Sequence, residues 1–305
     1  MGNVLTIDIG GSSIKYALIN DSREIFGRGN VPAPRESKEQ FIKTISDIYN
    51  QYENHIMGMG ISMAGKLNPQ DGMIISSGQY PFLKGESLVD IVRNCCNVPV
   101  SIQNDAHSAA LAELNLGCLK SVKNAAVIVL GTGIGGAIIL DKKIYEGQRF
   151  CAAEFSLIRV NGKEGIENSW MYRGGGAVGL INLVKEALNT EDELTGMEIF
   201  KMAEKNEKVL EAIRKYCQIT AVQIYNLQAI FDLDVYAIGG GISAQPMLIE
   251  LIAEYLYQIF EAEKKYDLAP SMPKIIPCKY RNDANLLGAW YDFNNRIIKN
   301  QKIYV

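Results

Sequence analysis

The stretch "LTIDIGGSSIKYAL", Leu5–Leu18, reads as a strand, a glycine turn and a second strand, with one carboxylate where the first strand closes. An apolar strand rarely carries a carboxylate unless its charge is satisfied. Asp8 therefore has two readings. It accepts N–H bonds from its own turn, or it faces Mg²⁺ beside the phosphates of a nucleotide. Gly10 and Gly11 let the backbone approach a ligand and take positive φ, and successive exposed N–H groups cradle an anion. Ser12, Ser13 and Lys15 extend that set toward phosphate oxygens, although Lys15 equally fits a solvated strand lysine.

The device recurs. A slide of 121 residues sets Gly10 on Gly131 and lays "YALIND" (Tyr16–Asp21) beside "AIILDK" (Ala137–Lys142). The second loop supplies Gly131, Thr132, Gly133, Gly135 and Gly136, and a third, after "VYAI", supplies Gly239, Gly240 and Gly241. One glycine loop is weak evidence; three, each following a strand, point to nucleotide phosphate. "GTGIGG" formally fits GxGxxG, but a dinucleotide fold wants a helix straight after the glycines, and strand-like "AIIL" follows here. The HRD and DFG motifs that accompany a protein-kinase glycine loop are absent, as is a GxxxxGK[ST] P-loop. A period this long predicts a duplicated, two-lobed α/β protein rather than a solenoid.

The 305 residues suffice for a large core and two domains. A net charge of -3 offers no basic field to nucleic acid. No apolar run approaches the roughly 20 residues of a membrane span. "MGNVLTIDIG" lacks the layout of a signal peptide, and its fit to a myristoylation signal is superficial. A cytoplasmic protein with neither nucleic-acid nor membrane partner is expected. Six cysteines form no CxxC pair, and only His55 and His107 represent histidine. The thiols read as reduced and mostly buried, and no zinc cluster is expected.

Two further acids stand out. "VSIQNDAHSAALAEL", Val100–Leu114, puts Asn104 and Asp105 where a strand ends and a helix begins. Such residues are favoured N-caps. A carboxylate there also suits a general base that takes the proton from an alcohol during phosphoryl transfer, with Asn104 on a neighbouring hydroxyl. Glu154, in "FCAAEFSLI", is either an acceptor for sugar hydroxyls or an ordinary strand-end glutamate. Other patterns set expected boundaries. Ser37 and Gln40 make a capping box before an amphipathic helix, Gly117 closes the helix after Asp105, and Pro246 opens another.

Together these residues resemble the ROK family of sugar kinases, within the actin-like ATPase superfamily, over nearly the whole chain. "DIGGSSIK" resembles its first phosphate motif, "GISMAGKLNPQDG" its sugar-side loop, and "QNDAHSAALAE" its asparagine–aspartate helix start. "LGTGIGGAIILDKKIYEG" is similar to the second phosphate motif, "GGGIS" to the adenosine-side turn, and "RNDANLLGAW" to the terminal signature. The resemblance implies a two-lobed actin-like (ribonuclease H-like) fold of duplicated βββαβα units with an interlobe cleft. Residues 1–117 with 290–305 would form the smaller lobe and 118–289 the larger. It implies Asp105 as catalytic base, and Ser62, Gly65, Asn104, Glu154 and Glu167 around the sugar. It also implies ATP in the three glycine loops, Mg²⁺ at Asp8, and a homodimer.

The chain departs from that pattern. Family members often follow the glutamate with glycine and then a histidine that contacts sugar and zinc. Here "EFSL" places Leu157 at the histidine position. "RVNGKEGIENSWMYRGGG" is shorter than the family's cysteine-rich zinc loop and has no cysteine, so no zinc is expected. With the first phosphate motif starting at Asp8, no N-terminal DNA-binding domain is expected. A smaller polar demand near the anomeric end would admit a substituent. That favours a kinase forming the 6-phosphate of a β-glucoside such as cellobiose. A glucokinase, an N-acetylhexosamine or N-acetylmannosamine kinase, and a non-catalytic sugar or nucleotide sensor are the alternatives.

Overall fold

The computed structural model describes residues 2–266 and 270–298. They form two compact units. The first runs to Leu116 and takes in Gly147–Cys151 and the chain from Asp283; the second comprises Gly117–Glu146 and Ala152–Asn282.

In the first unit, β1 (Asn3–Ile9), β2 (Ser13–Ile19), β3 (Ile25–Pro32), β4 (Ile56–Met63) and β7 (Val100–Asn104) form a sheet in the order β3-β2-β1-β4-β7. β5 (Lys66–Asn68) and β6 (Met73–Ser76) make a separate hairpin. Its helices are α1 (Lys38–Asn50), α2 (Leu88–Cys96), α3 (Asp105–Asn115) and α9 (Ala284–Phe293). Leu5, Ile7 and Ile9 of β1 are buried with Phe41, Ile45 and Ile48 of α1. Each such side chain contributes about 2 kcal/mol relative to exposure.

The other face of β4 is read from "GMG". Cβ atoms built on Gly58 and Gly60 would lie 2.2 Å from Phe293 Cζ and 2.4 Å from the Ala289 carbonyl oxygen. Only glycine lets α9 approach β4 this closely. The return expected at residue 290 therefore comes earlier, at Asp283, and the whole of α9 belongs to this unit. A π-helical turn, Asn294–Ile298, follows it, and residues 299–305 of the expected segment lie outside the described residues.

In the second unit, β8 (Ala125–Leu130), β9 (Ile134–Leu140), β10 (Lys143–Ile144), β11 (Val235–Gly239) and β12 (Lys274–Pro277) take the matching order β10-β9-β8-β11-β12. The helices are α4 (Trp170–Gly174), α5 (Gly176–Leu188), α6 (Gly196–Ala203), α7 (Glu207–Phe231) and α8 (Pro246–Glu263). Trp170, Ile213, Tyr216, Cys217 and Ile224 fill its core with Ile128, Leu130 and Ile138.

Strand register refines the repeat. Ile9 pairs with Ile14 across the first turn, but Leu130 pairs with Ile134 across the second, so the second turn is one residue shorter. The slide of 121 holds for β1 and β8 and becomes 120 for β2 and β9. A strand's faces alternate with period two, so correct pairing takes precedence over a constant offset.

Two local expectations change. The helix after Asp105 ends on Leu116 as C-cap with φ -124°, and Gly117 is not in the left-handed region. At α1 the Ser37 side chain accepts from the Gln40 N–H at 3.2 Å, so the box is present in that half. Among the described residues, no helix is long and apolar enough to cross a membrane.

Candidate active site

Asp8 lies in a polar row across the first sheet. It faces Lys15 on β2 and Ser62 on β4, and Ser62 faces Gln103 on β7. Ser62 Oγ donates to Asp8 Oδ1 at 2.9 Å, and Asn285 Nδ2, from the first turn of α9, donates to the same oxygen at 3.0 Å. Burial raises the Asp8 pKa, while the bonds from Asn285 and Ser62 and the charge of Lys15 pull it down. The second oxygen, Oδ2, accepts no hydrogen bond from the described residues. A carboxylate with one oxygen secured by neutral donors and the other open fits a magnesium-bound water or the ion itself. Ser62 is fully buried and spends its hydroxyl on Asp8, so the structure places it behind the acid rather than on the expected sugar surface.

The turn beside Asp8 is pinned from below. Gly10 N–H donates to the Ser13 carbonyl at 3.1 Å, and buried Tyr80 donates its hydroxyl to the Gly10 carbonyl at 2.8 Å. The N–H groups of Gly11 and Ser12 have no acceptor among the described residues. Neither Gly10 nor Gly11 has positive φ. Their smallness serves close packing instead: a Cβ on Gly11 would lie 3.0 Å from Gln79 Cδ.

The second glycine loop is shaped by "GGG" at Gly174–Gly176, a run whose role sequence reasoning missed. Ala177 and Val178 of α5 donate their N–H groups to the carbonyls of Gly131 and Thr132, at 2.8 and 3.0 Å. Gly176 has φ +63°, and a Cβ there would lie 2.0 Å from the Gly133 carbonyl oxygen. The N–H groups of Thr132 and Gly133 have no acceptor among the described residues, an arrangement that suits an anion. Gly240, at φ +90°, packs on the end of β8, where a Cβ would meet Leu130 at 2.3 Å. Gly136 proves to be a packing residue inside β9, because the ring of Phe155 occupies the place of its Cβ, 2.2 Å away. Gly135 also lies in β9, opposite Val129.

The strand-to-helix acids separate into two roles. Asn104, not Asp105, caps α3: its Oδ1 accepts from the His107 N–H at 3.0 Å. Its Nδ2 donates to the Gly65 carbonyl at 3.0 Å. Gly65 needs its φ of +125°, and a Cβ would meet the Ser76 carbonyl at 2.7 Å. Asp105 is the first helical residue, with Oδ1 accepting from the Ala106 N–H at 2.8 Å. The positive end of α3 favours a negative charge at that place.

His107, in the first turn of α3, is buried, and burial alone lowers its pKa to about 4. Its unfolded value is about 6.5, so the folded state binds this proton less well. Its stabilising effect is complete above pH 6.5 and is lost as pH falls toward 4. The total is about 3 kcal/mol, of which about 2 kcal/mol is gone by pH 5. The difference in unfolding free energy, from urea titrations of the wild type and His107→Leu, should change by about 2 kcal/mol from pH 7 to pH 5. A difference independent of pH would refute it.

In the second unit, Glu154 sits in an inverse γ-turn, φ -70° and ψ 65°, closed by Phe155 N–H on the Ala153 carbonyl at 2.7 Å. It is therefore not a strand-end residue. Ala153 before it takes φ +62°, a costly conformation for alanine. Phe155 anchors the turn by packing on Trp170, ring centroids 5.6 Å apart. Leu157 projects outward and is 59% exposed. Glu167 accepts from Asn168 Nδ2 at 3.2 Å and lines a cavity of about 610 Å³ with Tyr172, Arg173, Asn182 and Lys185.

The ROK family model matches residues 4–295, and the chain belongs to that family. It is 30% identical to an N-acetylmannosamine kinase of Vibrio cholerae over 95% of this chain and 98% of that protein. It is 26% identical to a beta-glucoside kinase of Listeria monocytogenes over 95% and 97%. The crystal structure of a ROK family protein from Streptococcus pneumoniae in complex with sucrose has a TM-score of 0.85 and 27% identity. That likeness covers 98% of this chain and 99% of that one. The architecture is accordingly the actin-like ATPase fold of ROK sugar kinases.

Proposed function

We propose that this protein is an ATP-dependent sugar kinase that phosphorylates the 6-hydroxyl of a glucose-type sugar, with Asp105 as general base. The observation that carries the reading is the division of labour at α3. Asn104 provides the N-cap, so the fold does not need a carboxylate at position 105 for that purpose. Asp105 accepts the hydroxyl proton as the sugar oxygen bonds to the γ-phosphorus, and the bond to the β–γ bridging oxygen breaks to release ADP. The N–H groups of Gly11, Ser12, Thr132 and Gly133 bind phosphate oxygens. Magnesium at Asp8 would offset charge on the transferring phosphate. Glu154 accepts from sugar hydroxyls. The kinase names of the Vibrio and Listeria relatives support this reading.

The finer proposal is a β-glucoside acceptor. Leu157, exposed three residues beyond Glu154, offers apolar surface to an aglycone where a histidine would demand a polar group. ADP release measured with cellobiose, glucose and N-acetylmannosamine should give the highest kcat/KM on cellobiose. A strong preference for free glucose defeats the glucoside version. Binding of sugar and ATP without turnover of any sugar would instead favour the sensor reading.

A further inference from the structure

Asn285 lies in the terminal motif "RNDANLLGAW", to which no contact with nucleotide or sugar is assigned above, yet its side chain reaches the acid that the phosphate motifs make central. From the first turn of α9, Nδ2 donates to Asp8 Oδ1 at 3.0 Å, across 277 residues of sequence. Ser62 Oγ reaches the same oxygen from β4. Two neutral donors on one oxygen fix the rotation of the carboxylate and leave Oδ2 as its open acceptor. Both donors are held rigidly. Ser62 is fully buried in the parallel β1–β4 ladder. Asn285 is fixed by α9, which lies on Gly60 of β4 through the Ala289 carbonyl and on α3 through Gly288.

Lys15, paired with Asp8 on β2, supplies a charge to the carboxylate but no hydrogen bond. Charge alone does not set which oxygen points where. The directional bonds do, and Asn285 supplies one of the two.

From this geometry we infer that Asn285 is a positioning residue for the nucleotide's metal: it presents Asp8 Oδ2 to magnesium-bound nucleotide. The inference rests on the kinase reading above. Partners that orient a metal-binding carboxylate typically govern about 10- to 100-fold of metal affinity. A contribution specific to the metal complex distinguishes this role from a contact that merely steadies α9.

The test is equilibrium binding of a non-hydrolysable ATP analogue to the full chain by calorimetry, with Mg²⁺ and again with EDTA. Asn285→Ala should weaken the magnesium complex at least about tenfold and leave metal-free nucleotide affinity within about twofold. Asn285→Asp, which keeps the shape but turns the donor into a repelling acceptor, should weaken it at least as much. In steady state the KM for Mg·ATP should rise while the KM for sugar holds. Unchanged magnesium dependence in a folded Asn285→Ala protein overturns the inference, as does an equal loss with and without the metal. If Asn285→Ala fails to fold, Asn285→Asp and Ser62→Ala carry the same comparison. A wild-type protein that binds no magnesium–nucleotide complex would sink the kinase reading itself, a result distinct from an unaffected variant.

Discussion

Replacing Asp105 by asparagine lowers kcat by about 10³-fold, within the range of general-base contributions and equal to about 4 kcal/mol of barrier. The amide keeps the shape of the carboxylate but cannot take the hydroxyl proton. The substitution leaves the fold intact for a reason visible in α3. Asn104 holds the cap through the His107 N–H and ties the helix start to Gly65, and neither bond involves Asp105. Sugar and nucleotide affinities should therefore stay within a few-fold, and the loss in stability should be limited to about 1 kcal/mol from the charge at the helix start. Calorimetric binding beside a coupled ADP assay reads both quantities. If kcat stays within tenfold of wild type, Asp105 is a helix-start residue and the base lies elsewhere.

Gly288→Val destabilises the first unit by about 3 kcal/mol, at the upper end for overpacking. A Cβ at Gly288 would lie 1.8 Å from the Ser108 carbonyl oxygen and 2.3 Å from its carbon. Backbone cannot rotate away as a side chain can, so α9 and α3 must separate. The cost extends beyond stability, because α3 starts with Asp105 and α9 carries Asn285 one turn before Gly288. Differential scanning calorimetry should show an early transition, with kcat reduced even at temperatures where the protein is folded. Gly162→Ala is the control: nothing lies within 4 Å of a Cβ there, and it should change stability by less than about 0.5 kcal/mol. An unshifted Gly288→Val transition would show that the helices do not depend on this contact.

Much of the architecture is legible locally. α7 covers Glu207–Phe231, where Leu210, Ile213, Cys217, Ile224 and Leu227 recur at helical spacing. β1 and β8 each end at a glycine turn, and both units repeat one strand order. Other features mislead when read locally, because the deciding partner is remote. Gly136 reads as a phosphate glycine until Phe155 is found against it. Ser62 reads as a sugar-side hydroxyl until the β1–β4 register sets it beside Asp8. The one-residue difference between the two turns is hidden when the copies are aligned at a constant offset, and strand pairing exposes it. The "GGG" of Gly174–Gly176 was a usable signal. Three glycines at a helix start need a close neighbour, and Gly133 and Ile134 provide it.

The sequence by itself determined the elements, the doubled strand–glycine–strand device and the family. Hydrophobic period, turn glycines and short motifs are properties of residues a few positions apart. Only the tertiary structure decided what each polar group does. It gave the cap to Asn104 and left Asp105 beyond it, and it set two donors on one oxygen of Asp8. One of those donors, Asn285, is 277 residues away in the chain. A hydrogen bond is directional and acts over about 3 Å, so its partners are chosen by packing, and no local pattern records the choice.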